Sequence, residues 1–357
     1  MTKRIAMLMT LVLLLSVLAG CAGTTVVVGN CTCPTESVAD NAVNEMSATT
    51  EAPTAAQGVL NTGLSIMASA SVEPKDETNV IKYDVTTVAV TVDENGVIRS
   101  CIIDSLNPSI TVDESTGTIV SDIAAEIQTK NELGEAYGMK AYAGSKYEWN
   151  EQAAAVAAYA VGKTADEFKN GAINESGKAA DADLASTATI YIGGYVNAIV
   201  DAANNAQALG AATGDTLKLA VIPSLASSAS PEGEKAGTAQ LDCNVVALTM
   251  SGDVITSCYL DSLQAKVSID ASGAITIPDT FQTKNQLGEA YGMKAYAGAK
   301  YEWNEQAANF ASYVTGKTAT DVAGIAVAEG KPADADLSAS VTIAIGGFQA
   351  LIAKAVK

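Results

Sequence analysis

The aromatic residues of this 357-residue chain are concentrated in two short, nearly identical segments. Each segment carries one of the two tryptophans, Trp149 or Trp303, and three of the twelve tyrosines. Such a cluster could form a stacking surface for a planar ring, or it could be a core cluster at helical spacing. Both interpretations are open. The residues that would stack on a ring are Tyr137, Trp149, Tyr291 and Trp303.

Three lysines accompany the aromatic residues in each segment. They add positive charge locally to a chain of net charge −19, so each segment could accept a phosphate or a carboxylate. Solvated helix faces, on which lysines pair with acidic residues, explain them equally well. The six lysines are Lys130, Lys140, Lys146, Lys284, Lys294 and Lys300.

Asp181 and Asp183 are closely spaced carboxylates that could serve paired-carboxylate catalysis or bind calcium. No dense acidic loop surrounds them in the sequence. Short acidic side chains are also typical of helix N-termini, where they accept hydrogen bonds from free amides. We therefore predict that Asp183 and its counterpart Asp336 cap helices, and we assign no catalytic residue and no metal site.

The cysteines leave the redox state open. Cys243 and Cys258 flank a predicted hairpin, so a disulfide between them and a pair of buried free thiols are both compatible with the sequence. Val85 replaces Cys243 in the first half of the chain, so the fold cannot require that bridge. Cys31 and Cys33 form a Cys-x-Cys motif, for which a local or intermolecular disulfide is the simplest interpretation.

The composition excludes several classes of function. The chain has no histidine, so it cannot contain a Ser-His-Asp or Cys-His relay or a histidine-ligated zinc or haem. Forty acidic against 21 basic residues argue against nucleic acid as a partner, because phosphate binding depends on clustered lysine and arginine. No nucleophile has a visible base, so a carrier or a binding protein is favoured over a stand-alone enzyme.

An internal duplication organises the chain. Residues 128–153 and 282–307 match at 24 of 26 positions, and the similarity extends in both directions. We predict that residues 59–208 form the first copy of a domain and residues 213–357 the second. Each copy has about 150 residues, which is a usual domain size.

Each copy begins with a pattern typical of strands and continues with a pattern typical of helices. An Asn-Gly turn at Asn95 joins two alternating apolar runs and predicts a hairpin. Strands grouped before helices indicate an α+β fold, with two tandem copies of a domain in which helices follow an antiparallel sheet. The predicted strands of the first copy are 64–72, 81–92, 97–106 and 109–120.

Helix signals follow the strands in both copies. Thr129 and Thr283 open capping boxes, in which a side chain at the helix start and one three residues later bind each other's amides. Helices are predicted over 148–160 and 302–314, each closed by a glycine. For residues 186–194 and 339–347 the pattern fits both a strand and a helix, and we choose the helix.

The N-terminus resembles a bacterial lipoprotein signal. An apolar run follows Lys3 and Arg4, is too short to span a bilayer, and ends in Leu-Ala-Gly-Cys at Cys21. In that class of protein the cysteine is lipidated. The resemblance predicts a signal peptide at 1–20, a flexible tether at 21–58, and lipid anchoring at the extracytoplasmic face of the cell membrane.

Each copy also resembles a degenerate FMN-binding domain, a family found in subunits of ion-pumping quinone reductases and Rnf-type complexes and in lipoproteins of extracellular electron transfer. Three segments carry the resemblance in the family's order. They are the hairpins 88–98 and 246–255; the series Thr129, Leu133, Gly134, Trp149, Gln152 and Gly162 with its repeat Thr283, Leu287, Gly288, Trp303, Gln306 and Gly316; and the motifs 183–189 and 336–342.

The resemblance implies FMN as cofactor, attached to Thr189 and Thr342 through a phosphoester bond by a flavin transferase. Thr187 and Ser340 stand where the family has glycine. From the three ordered segments, the paired domains and the predicted location, we predict a membrane-anchored electron carrier with envelope redox partners. The alternative is a non-redox ligand-binding or structural envelope lipoprotein that kept the fold and lost the cofactor. Further flavin-site residues implied by the resemblance are Leu133, Gly134, Leu287 and Gly288, together with Tyr137, Trp149, Tyr291 and Trp303.

Overall fold

The computed structural model describes residues 58–357. The predicted signal peptide, the lipidation site Cys21, the Cys31 and Cys33 motif and all of the predicted tether except Gly58 lie outside the described residues. The order of elements within residues 58–357 follows the duplication, and in each half a sheet is followed by helices.

Alternating apolar residues form an antiparallel sheet at the start of each half, as predicted. In the first sheet β2 is central and pairs with β1, β3 and β4, whereas the second sheet has the order β5-β6-β7-β8. The strands are β1 Asn61–Lys75, β2 Thr78–Val92, β3 Ile98–Leu106, β4 Ser109–Asp113, β5 Thr216–Ser224, β6 Gly237–Ser251, β7 Val254–Ile269 and β8 Ile275–Thr276.

The helices follow each sheet, and the second half adds the short pair β9 Val327–Ala328 and β10 Lys331–Pro332 among them. Single 3-10 turns occupy Gly134–Tyr137 and Gly288–Tyr291. The helices are α1 Lys130–Leu133, α2 Met139–Ala143, α3 Trp149–Ala160, α4 Ala165–Ala172, α5 Ala182–Thr187, α6 Gly193–Asn204, α7 Lys284–Leu287, α8 Met293–Ala297, α9 Trp303–Val314, α10 Ala319–Ala323, α11 Ala335–Ser338 and α12 Gly346–Ala355. The α+β class predicted from the sequence is confirmed.

The two sheets pack face to face, and the helices cover their outer faces. This arrangement gives four layers, because each long strand alternates its side chains between two cores. The core between the sheets combines residues of both halves, and we call it the shared core. Residues facing the shared core include Val85, Ala89, Val245 and Ala247; those facing the helices include Val88, Val90, Val246 and Leu248.

Polar contacts join the two halves around the shared core. The Tyr83 hydroxyl is buried and donates a hydrogen bond to the carbonyl of Ala239 at 2.8 Å. At the rim, Lys354 forms an ion pair with Glu132 at 2.6 Å and donates to the carbonyl of Val221 at the same distance. Residues 58–357 therefore belong to one compact unit.

The fourth predicted strand is shorter than expected. β4 ends at Asp113, whose carboxylate accepts hydrogen bonds from the amides of Ser115 and Thr116 at 3.0 and 2.9 Å. These bonds form a turn that reverses the chain, and beyond it only an isolated bridge joins Val112 to Ile119. The prediction of a strand over 109–120 is therefore wrong in its second half.

The helix chosen over 186–194 is also wrong for the residues in its middle. α5 ends at Thr187 and α6 begins at Gly193, and the residues between them are neither helix nor strand. The amides of Thr189 and Ile190 donate instead to a side-chain oxygen of Gln152, so they need no helical partner. The same break separates α11 from α12.

Two further predictions concern caps and cysteines. The carboxylate of Asp181, not Asp183, caps α5 by accepting a hydrogen bond from the amide three residues on at 2.9 Å, and Asp334, not Asp336, caps α11. These two caps were predicted two residues too late. The capping boxes at Thr129 and Thr283 are confirmed.

Cys243 and Cys258 are free thiols on opposite faces of the second sheet. Cys243 faces the shared core and Cys258 faces the helices, so the disulfide alternative is wrong. Burial raises the pKa of both thiols, that of Cys243 to about 12.

Within residues 58–357, no helix combines the length and the apolar character that a membrane span requires.

Candidate functional site

A buried glutamine links two of the three motif segments in the first half. Gln152 lies on α3, which begins after the capping box at Glu148, and it is fully buried on the same helix as Trp149 and Val156. Its side-chain oxygen accepts hydrogen bonds from the amide of Thr189 at 2.8 Å, the hydroxyl of Thr189 at 3.2 Å and the amide of Ile190 at 3.2 Å. One side chain therefore fixes the backbone of the predicted flavin acceptor.

The second half repeats this arrangement. The oxygen of Gln306, also fully buried, accepts from the amide and the hydroxyl of Thr342 at 2.7 and 3.2 Å and from the amide of Ile343 at 3.2 Å. Thr189 and Thr342 are themselves exposed. We call each pair, Gln152 with Thr189 and Gln306 with Thr342, a Gln–Thr unit.

A phosphoester on the threonine would change the Gln–Thr unit. It would replace the proton that each threonine hydroxyl donates to the glutamine, so that bond would be lost, while the two backbone amides would keep the glutamine oxygen as their acceptor. Among the described residues, Asp76 and Glu329 are the non-glycine positions with positive φ. Thr187 and Ser340 therefore adopt ordinary backbone conformations, and this chain does not need glycine there.

The tryptophan of the first half is a core residue. Trp149 is 2% exposed, and its indole nitrogen donates to the hydroxyl of Tyr195 at 2.9 Å. The ammonium of Lys130 lies 5.2 Å from the Trp149 ring and 5.1 Å from the ring of Tyr137. The favourable contact of the cation with both rings closes this cluster. A planar ligand could stack on Trp149 only after Lys130 had moved.

The second tryptophan is covered in the same way. Trp303 is 6% exposed, Lys284 lies 4.9 Å from its ring and 5.0 Å from the ring of Tyr291, and Phe348 packs edge-on at 5.9 Å. Burial lowers the pKa of Lys284. The structure thus favours the core interpretation of the tryptophans over a preformed stacking surface.

The remaining predicted flavin-site residues form the end of the first short helix. Gly134 follows Leu133 with a φ of 50° and a ψ of −120°, a conformation that side chains rarely adopt, and Gly288 after Leu287 has the same angles. Among the described residues, no hydrogen bond joins this bend to Thr189 or Thr342. The structure therefore brings the glutamines, not the Leu-Gly bends, to the threonines.

The other lysines of the segments are surface groups. Lys140 pairs with Glu151 at 2.6 Å, and Lys294 pairs with Glu305 at 2.7 Å. Lys146 and Lys300 each lie 4.8 Å from the ring of the next residue, a tyrosine. The two ion pairs join separate helices, and the two lysine–tyrosine contacts join adjacent residues, so none is the i,i+4 pair that a solvated helix face would give.

A buried carboxylate positions the helix that carries each covering lysine. Asp104 of β3 accepts from the amide of Asn131 in α1 at 3.1 Å, and Asp261 of β7 accepts from the amide of Asn285 in α7 at 3.1 Å. Burial raises the pKa of both carboxyls, that of Asp261 to about 6. The sequence reasoning missed these residues, although the Asp-Ser-Leu repeated in two aligned strands would have indicated them.

No protein-family model, no curated protein and no solved structure matches the chain. The candidate site therefore stands on its own geometry and on the repetition of that geometry in the two halves.

Proposed function

We propose that this protein is a lipid-anchored, extracytoplasmic electron carrier that holds one FMN on each half. The observation that carries the proposal is the Gln–Thr unit, which occurs twice. In each half one glutamine oxygen joins two motif segments. Gln152 and Thr189 are 37 residues apart, and Gln306 and Thr342 are 36 residues apart. The threonine in each pair is the residue that the resemblance implies as the flavin acceptor. Cys21, outside the described residues, would carry the lipid anchor.

We assign different roles to the glutamines and the threonines of the Gln–Thr units. Gln152 and Gln306 hold the acceptor threonines in place, and Thr189 and Thr342 would hold the cofactor by a phosphoester. Flavin, once bound, supplies the redox chemistry, while the protein supplies position and electrostatics. The glutamine oxygen is an acceptor and not a base, which is why we assign the attachment step to a separate flavin transferase.

The test is the intact mass and visible absorbance of the full chain, purified in detergent after co-production with a flavin transferase. We expect a mass increase of two FMN groups and a yellow colour that persists after denaturation. Thr189→Ala and Thr342→Ala should each remove one group, and the double variant should remove both. Ser186→Ala and Ser338→Ala, neighbouring hydroxyls in the same motifs, are the matched controls and should change nothing.

A colourless, unmodified protein would overturn the covalent proposal. The second candidate function, a ligand-binding envelope lipoprotein without a redox cofactor, would then lead. The burial of Trp149 and Trp303 favours this candidate, because a ring-stacking surface is not preformed. Titration with free FMN, monitored by tryptophan fluorescence, would distinguish a protein that binds flavin reversibly from one that does not bind flavin.

A further inference from the structure

A cavity of about 530 Å³ lies in the second half, away from the Gln–Thr units. It opens between β7, helix α9 and the segment that connects the two halves. Its volume is within the usual range for a small-molecule site, about 300–1,000 Å³. Residues 207–209 of the connecting segment form one wall.

The connecting segment is held against both halves. The amide and carbonyl of Gln207 exchange hydrogen bonds with Thr62 of β1 at 2.9 and 2.8 Å, and the Gln207 side chain donates to the hydroxyl of Tyr259 at 3.0 Å. Gly210 has a φ of +109°, and a Cβ there would lie 2.5 Å from the carbonyl oxygen of Thr256. The wall is therefore built by close approach of this segment to β7.

Neutral polar groups line the cavity. Among its lining side chains none is charged, and six can form hydrogen bonds: Gln207, Tyr259, Asn285, Asn304, Ser312 and Thr315. The side-chain oxygen of Asn304 is buried without a hydrogen-bond partner among the described residues, so the protein itself does not satisfy this amide. A charged ligand would lose its hydration without gaining an opposite charge, so the lining selects a neutral one.

The comparison with the first half shows which polar groups are specific to this cavity. Asn150, which aligns with Asn304, also has a buried oxygen without a partner, so the specific groups are the hydroxyls. The positions of Tyr259, Ser312 and Thr315 are occupied in the first half by Ile102, Ala158 and Val161. The aligned asparagines and alanines are unchanged. The second half thus has three hydroxyls that the first half lacks, and all three line the cavity beside the connecting segment.

We propose that this cavity binds a neutral, flat heterocycle whose edge carries adjacent hydrogen-bond donors and acceptors, such as a nucleobase or its nucleoside. A carboxamide matches such an edge with two parallel hydrogen bonds, and Asn304, whose oxygen has no partner among the described residues, is the carboxamide placed to do so. Asn285 and Gln207 each already donate one hydrogen bond, to the carbonyl of Leu260 and to the hydroxyl of Tyr259. Helix α9 contributes small side chains at Ala308, Ala311 and Ser312, which lie on one face of the helix and leave room for a flat ring.

The test is calorimetric titration of the full chain in detergent with adenosine, guanosine, uridine and thymidine, and with their 5′-monophosphates. We expect saturable binding of at least one nucleoside, at least about tenfold tighter than its monophosphate, because the phosphate would have to enter an uncharged cavity or stay outside it. Glucose serves as a neutral, non-aromatic comparison and should not bind.

Matched variants distinguish the cavity from other sites. Ala308→Trp should weaken binding by about tenfold or more, whereas Ala154→Trp, at the aligned position of the first half, should leave it unchanged. The triple variant Tyr259→Ile, Ser312→Ala, Thr315→Val carries the residues that the first half tolerates, so it should fold, and it should lose binding. Circular dichroism and a thermal melt confirm folding of each variant.

Absence of binding by every nucleoside at millimolar concentration would overturn the proposal, as would equal binding of the monophosphates or preferential binding of glucose. An equal loss in Ala154→Trp would also overturn it. The inference is independent of the flavin proposal, because the Thr189→Ala, Thr342→Ala double variant should bind the nucleoside normally.

Discussion

The two halves differ most where the connecting segment meets them. In both halves the repeated segment makes the same contacts: a lysine covers the tryptophan, and a Gln–Thr unit ties the segment to the later motif. The flanking positions have diverged, so that the second half presents hydroxyls to a cavity where the first half presents apolar side chains. The contacts inside each half are thus the common framework, and the two halves differ in the residues that flank it.

The largest effect should come from breaking the framework itself. Gln152→Leu and Gln306→Leu keep the buried volume but leave two amides and a hydroxyl without their acceptor, which should lower the free energy of unfolding by about 2–4 kcal/mol. Gln152 also donates to the hydroxyl of Ser145 at 3.3 Å, a contact that Ala299 cannot provide in the second half. Urea unfolding should therefore show a slightly larger loss for Gln152→Leu.

Ser145→Ala is the control for that difference. In its background the two glutamine variants should become equal in cost, because both halves then carry alanine at this position. A larger loss in the second half would contradict the assignment of the extra bond.

The second effect concerns pH. The pKa of Asp261 is raised to about 6, so the folded state holds this proton more tightly than the unfolded state. Its contribution to stability is fully present below about pH 4 and is lost as pH rises through 6, at about 1.4 kcal/mol for each pKa unit. We expect the difference in unfolding free energy between the natural protein and Asp261→Asn to change by about 2 kcal/mol between pH 4 and pH 7.

Asn at this position still offers an oxygen to the amides of Ser262 and Asn285, so α7 keeps its start. A difference that is constant across this pH range would show that Asp261 titrates normally in the folded protein. Asp104→Asn in the first half should change the pH dependence in the same direction, because burial raises that pKa too.

A smaller effect on the free energy of unfolding should distinguish the surroundings of the two tryptophans. Trp149 donates to the hydroxyl of Tyr195, whereas Trp303 packs against Phe348, which offers no oxygen. Tyr195→Phe should make the first half resemble the second and cost about 1 kcal/mol in urea unfolding. Phe348→Tyr is the reciprocal change and should cost less than about 0.5 kcal/mol. Equal losses from both changes would show that the hydrogen bond contributes nothing specific.

The smallest effect is expected at the surface ion pairs. Lys140→Ala and Lys294→Ala remove matched pairs with Glu151 and Glu305, all four of them well exposed. Exposed pairs contribute about 0–1 kcal/mol, so each variant should lose less than about 0.5 kcal/mol, and less still in 0.5 M salt. A loss above 1 kcal/mol in either half would reveal a role beyond the ion pair.

Local patterns predicted the local structure of both halves. The hairpin at Asn95 and Gly96, the capping boxes at Thr129 and Thr283 and the two long helices depend on neighbouring residues, so the sequence was sufficient. The helix break before Gly193 was missed because its cause, the side chain of Gln152, is about forty residues away. Helix propensity depends on the residue itself and its neighbours, so it carries no information about such a distant partner.

The site was predictable in part for the same reason. The motif singled out Thr189 and Thr342 as the predicted acceptors, but their hydrogen bonds to Gln152 and Gln306 became visible only in three dimensions. The burial of Trp149 under Lys130 and the cavity beneath residues 207–209 depend on contacts between distant elements. Comparison of the halves position by position could have indicated the cavity, since Ser312 and Thr315 depart from Ala158 and Val161.

The shared core means that this chain is built like a homodimer whose two subunits have been fused. A single half would expose one whole apolar face of its sheet, including Leu64, Ile66 and Val85. The matching face of an identical subunit could cover it. Fusion holds the partner at a permanently high effective concentration. It also frees the subunits from being identical, so one can acquire a ligand cavity without forcing the same change on the other.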